Sequence, residues 1–162
     1  MFILVFALVA VVAASTHVAF SSKRRSSGAA IADTYLVYLL FIFVGLMGLL
    51  LAYAHIFRPV QTSAAIGRLP SPYEFQAGMA DLTAGVLGLL CLWLRGDFWL
   101  ATAIANAVSM MGNAAGHIRE IRLHPNHAYN SPVVIFAECV LSLVIFFLAL
   151  YHRRTTSGRH AE

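Results

Sequence analysis

Five apolar runs alternate with short polar breaks along this chain. They cover residues 1–20, 32–57, 73–94, 98 to about 118, and 133–151. Each is followed by a charge or turn cluster that hydrocarbon would reject: Lys23-Arg24-Arg25, Arg58-Pro59, Arg95-Gly96-Asp97, Arg119-Glu120 and Arg153-Arg154. A helix needs about 20 apolar residues to cross a bilayer, and each run meets or approaches that length. Backbone groups in lipid must pair internally, and none of the runs alternates as barrel strands do, so the pattern predicts helices. The expectation is an all-α integral membrane bundle of five transmembrane helices, a four-helix core with a more peripheral N-terminal helix.

The polar positions inside the runs are ordered as well. In the fourth run Thr102, Asn106, Ser109, Asn113, His117 and Glu120 recur every three or four residues, which at about 100° per residue makes one stripe. Such a stripe must face other helices or a wet cavity. The third run has a similar face of Glu74, Gly78, Asp81, Gly85 and Gly88. The second offers Gly45, Gly48, Ala52 and His55, and the fifth Glu138 and Ser142. Small residues let neighbouring helix backbones approach closely. Four helices with these faces turned inward form the predicted core.

Composition supports the membrane reading. Of 162 residues 60% are hydrophobic and 11% charged, with a mean hydropathy of +0.77. A soluble domain carries about a quarter charged residues. The balance excludes a disordered chain, a disulfide-stapled secreted domain and a nucleic-acid binder. The bilayer is thus the expected partner, with no nucleic acid. The net charge of +4 comes from basic residues at the ends of apolar runs, where they report orientation. With the N-terminus out and the C-terminus in, Lys23, Arg24, Arg25, Arg95, Arg153, Arg154 and Arg159 are cytoplasmic, and Arg58, Arg68, Arg119 and Arg122 are opposite. The chain reads as one domain of a bacterial inner (plasma) membrane. It comprises a first span at 1–20, a basic cytoplasmic loop at 21–31, the core at 32–152 and a basic cytoplasmic tail at 153–162. The first span has no basic residue before it and a basic cluster after it, the reverse of a cleaved signal peptide. Cys91 and Cys139 fall toward opposite leaflets, too far apart for a disulfide.

Depth gathers the candidate chemistry. At about 1.5 Å per residue Asp81 lies roughly 12 Å below the start of its run and Glu138 roughly 9 Å below Pro132. Under the expected topology Asp81, His117, Glu138, Asn113, His55, Glu74 and Glu120 all belong to the extracytoplasmic half, and the cytoplasmic half holds almost no ionisable group within the membrane. Buried carboxylates in a membrane are expensive, so this cluster predicts a polar pocket. Asp81, His117 and Glu138 would form its centre, with His55, Glu74 and Glu120 at its mouth. Each group also has a plainer role. Glu74 suits a helix N-terminus, Asp81 can pair with His117, His55 or an arginine, and Asn106 and Asn113 can bond neighbouring helices. His117, Asp81 and Glu138 are also the candidate ligands for a metal such as zinc, iron or manganese, although the spacing supplies no dedicated metal motif. His55 and His117 could ligate haem. The His124-Pro125-Asn126-His127 stretch is histidine-rich but reads as a solvated connection. Tyr53, Phe57, Tyr73, Trp93, Phe98, Trp99 and Tyr151 near run ends fit an interfacial belt.

The segment Ser71-Pro72-Tyr73-Glu74-Phe75-Gln76-Ala77-Gly78-Met79-Ala80-Asp81-Leu82, with Gly85 to Leu90, Arg95 to Thr102 and Gly116-His117-Ile118, resembles a family of small bacterial integral membrane proteins of unknown function. The resemblance covers most of residues 31–150 and singles out Glu74, Asp81 and His117. It implies a membrane fold and no particular activity. One departure is Asn130-Ser131-Pro132, where the family pattern has an Asn in a Gly-rich turn. Three functions compete on this reading: a pocket that takes a small ligand or ion, with proton coupling; a redox subunit holding haem, metal or quinone; and a structural or assembly subunit of a larger membrane complex, bound to partner subunits. No phosphate-binding loop or nucleophile motif assigns an enzyme reaction.

Overall fold

The computed structural model describes residues 2–65, 69–123 and 132–157. Arg68, the stretch from His124 to His127, Asn130-Ser131 and Arg159 lie outside the described residues. The described chain is all-helical: α1 Phe2–Phe20, α2 Ser22–Arg25, α3 Gly28–Phe57, α4 Pro59–Ala65, α5 Glu74–Leu90, α6 Asp97–Leu123 and α7 Pro132–Ser157.

Three of these, α1, α3 and α7, are long and apolar enough to cross a membrane. The other two expected spans fall short for separate reasons. With 17 residues, α5 is only about 25 Å long. At 27 residues α6 is long enough, but its polar stripe dilutes its apolarity.

Helix boundaries depart from the apolar runs where local chemistry takes over. Ser27 caps α3, accepting the Ala30 N–H at 3.1 Å, so the helix starts before the run and includes Asp33. The expected basic loop holds the short α2. The break expected at Arg119-Glu120 is helical, and so is that at Arg153-Arg154. On the other side of the bundle, the segment after Arg58 forms α4, with Pro59 at its first position, where a missing N–H costs nothing. Thr62 Oγ1 donates to Ala54 O at 2.9 Å and folds α4 back on α3.

The most buried of the three apolar helices is α3. Its middle, Leu39–Leu46, is a π-helical stretch, in which Met47 N–H reaches back to Ile42 O. The wider turn shifts the helix face, so the first half of α3 packs on α1 and α7 and the second half on α5. Against α5 the contact is backbone on backbone. Gly45 meets Gly88 and Gly48 meets Gly85, and a Cβ on Gly48 would lie 2.8 Å from Gly85 N. The glycine faces read from the second and third runs therefore interlock. A second tight pair is α6 with α7, whose buried line runs Glu138, Ser142, Ile145, Ala149, His152. By contrast, α5 and α6 touch little, although only a short turn joins them. That turn holds Gly96 at φ 65°, a left-handed conformation that suits glycine.

Candidate functional site

Up-and-down connections bring the start of α1, the end of α3, the start of α5, the end of α6 and the start of α7 to one end of the bundle. A cavity of about 180 Å³ lies between them, and all five helices line it. Its polar wall is His55, Asp81, Asn106, Ser109, Asn113, His117 and Glu138, and its apolar wall includes Phe2, Ile3, Val44, Met47, Leu51 and Val134. Five of the seven expected site residues thus meet at one cavity.

Glu74 and Glu120 stand to the side. The first residue of α5, Glu74 accepts from His55 Nδ1 at 2.8 Å and from Ser63 Oγ at 2.7 Å. Its carboxylate thereby ties α3, α4 and α5 together, as well as sitting at a helix N-terminus. Ser63 is fully buried and was not apparent as a site residue, because α4 sits in a segment that reads as loop. Glu120 lines a shallow surface depression with Asn113, His117 and Arg119.

His55 stands between two carboxylates, with Nδ1 on Glu74 and Nε2 3.9 Å from Asp81 Oδ2. His117 Nε2 lies 3.7 Å from Glu138 Oε1. These two longer separations are ion-pair distances rather than hydrogen bonds. Glu138 is 6% exposed and Asn106 4%. Among the described residues, Glu138 Oε2 and Asn106 Nδ2 are the buried side-chain atoms without a hydrogen-bond partner. Orphaned buried polar atoms are rare because each costs about 1–3 kcal/mol. Both line the cavity. Among the described residues no three His, Cys, Asp or Glu side chains gather as a metal-ligand set, so His117, Asp81 and Glu138 face one cavity without forming one.

The other end of the bundle corrects an expectation. It holds a buried ionisable group, His152, whose Nδ1 lies 2.7 Å from Asp33 Oδ1. The imidazole ring also packs on Trp99, with ring centroids 4.7 Å apart, and Trp99 Nε1 donates to Cys91 O at 2.8 Å. The three-to-four-residue rhythm on α7 from Ser142 through Ile145 and Ala149 to His152 was the available signal. Asp33 was missed because it lies at the edge of its apolar run. Cys91 and Cys139 are both free thiols.

Fold and site define an all-helical protein whose apolar helices are compatible with a membrane, with ionisable side chains set between them. The chain belongs to a family of unknown function (DUF6790), whose model matches residues 1–158. No curated protein matches it, and no solved structure does.

Proposed function

We propose that this chain is a five-span membrane protein, N-terminus out and C-terminus in, that binds a small ligand or ion in a pocket opening toward the extracytoplasmic side. In this reading α5 and α6 also cross the bilayer, since Asp81, Asn106, Asn113 and His117 line the cavity and Glu74 pairs with His55. The observation that carries the reading is the pair of orphaned atoms, Glu138 Oε2 and Asn106 Nδ2, in a cavity also lined by His55, Asp81 and His117. One orphan offers an acceptor and the other a donor, so a polar guest satisfies both.

The cavity's histidines supply the proton coupling. His55 can accept a proton at one ring nitrogen and release one from the other, between Glu74 and Asp81. His117 beside Glu138 can compensate charge as a guest enters.

The test is a high-resolution map of the protein purified in its native lipid, with Asp81→Asn and His117→Ala variants alongside. Non-protein density within hydrogen-bond reach of Glu138 and Asn106 is expected in the wild type. Both variants should insert normally and lose it. An empty wild-type cavity, or density unchanged in both variants, removes the proposal.

A further inference from the structure

The cavity does not end at Asn106. A second hollow, about 270 Å³, runs between α5 and α6 and shares Val44, Ala84, Asn106 and Ser109 with the first. Its remaining walls are Ala80, Thr83, Leu87, Thr102 and Ala105. Those side chains are small or apolar, and the Thr83 hydroxyl is already bonded to Met79 O at 2.9 Å on its own helix. Ala80, Thr83, Ala105 and Ser109 are exposed, so the groove opens sideways where a membrane protein meets acyl chains.

Polarity is graded along this path. At the cavity end stand Asp81 and Glu138, with Glu74 behind His55, against the two imidazoles of His55 and His117. Of the ionisable groups lining the cavity, Asp81 and Glu138 are matched by His55 and His117, so with the carboxylates ionised and the imidazoles neutral the wall is net negative, and Glu138 Oε2 offers an unused acceptor. At the junction of cavity and groove, Asn106 offers an unused donor. Beyond it the groove is apolar.

We propose that the site takes a single-chain amphiphile from the bilayer through the α5–α6 groove. Its ammonium head lies at Glu138, an oxygen acceptor at the head–tail junction meets Asn106, and its tail lies between α5 and α6. This rests on the pocket reading above and names the ligand class for it.

The experiment uses native membrane vesicles and a photoreactive hexadecylamine with a diazirine in its chain. Light should leave adducts on the groove peptides around Thr83 and Ala105, displaced by excess hexadecylamine but not by ethylamine, which has the head without the tail. Glu138→Gln should weaken labelling about tenfold or more, the loss of a charged hydrogen bond. Ala105→Phe and Thr83→Phe fill the groove from exposed positions and leave the cavity's polar residues in place; they should abolish the groove adducts. Labelling that excess hexadecylamine does not displace, that ethylamine displaces equally, or that survives both Phe variants overturns the groove and leaves the pocket reading standing. A disulfide-linked dimer of an Ala105→Cys variant in native membranes would put a second copy in the groove and overturn it too. The pocket reading falls separately, on an empty cavity in the map.

Discussion

A histidine beside carboxylates can move protons or lock helices together, and the two ends of this bundle give their histidines different surroundings. His55 has Glu74 on one ring nitrogen and the cavity-lining Asp81 beyond the other. His152 is bonded to Asp33 alone among carboxylates and is covered by Trp99, with no cavity beside it among those described above. It joins the first turns of α3 to the end of α7 across the bundle. A double-mutant cycle with His152→Ala and Asp33→Ala, read by unfolding in detergent, should give a coupling of about 1.5–3 kcal/mol, the worth of a hydrogen bond to a charged group. Additive losses would mean the pair contributes nothing beyond its members. The nearby Arg153–Asp97 pair, at 3.0 Å but exposed on both sides, should couple negligibly.

At the scale of the element, glycine decides which helices can pair. The face of α3 that meets α5 has backbone atoms where a side chain would need to be. Gly48→Val should therefore drive the two helices apart and cost about 1–3 kcal/mol or more, since backbone cannot yield as a flexible side chain does. Gly112 is the contrast: a Cβ there meets nothing within 4 Å. Gly112→Ala should be neutral or gain up to about 1 kcal/mol from helix propensity. Melting temperatures of the two variants in the same detergent check both statements, and equal losses would refute the packing argument. The π-helical stretch Leu39–Leu46 lets one helix serve two sets of neighbours.

Across the whole molecule, alternating helix directions set two chemical ends. Lys23, Arg24, Arg25, Arg95, Arg153 and Arg154 lie toward the end with Asp33 and His152, and Arg58, Arg119 and Arg122 toward the end with the cavity. The excess of basic residues at the first end places it in the cytoplasm on the proposed topology. With Cys91 and Cys139 replaced, a cysteine at Ser71 should react with an impermeant maleimide in intact cells. Cysteines at Ser26 and Ser157 should react only after permeabilisation. The reverse pattern would invert the topology and turn the cavity toward the cytoplasm.

The helices were legible in the residue order because apolar runs and a three-to-four residue polar rhythm are local properties. The polar and small faces of α3, α5, α6 and α7 were legible for the same reason, and from them His55, Asp81, Asn113, His117 and Glu138 come to line one cavity. Membership of a family of unknown function was legible through residue segments such as Gly116-His117-Ile118. Tertiary structure alone decided which carboxylate each histidine meets, because partners such as Asp33 and His152 are separated by most of the chain and brought together by packing. It also decided that Ser63 supports Glu74, that the second end sets a buried His152 against Asp33, and that α5 and α6 stand apart. Periodicity says which way a side chain points, but the gap between two helices depends on what every other helix permits.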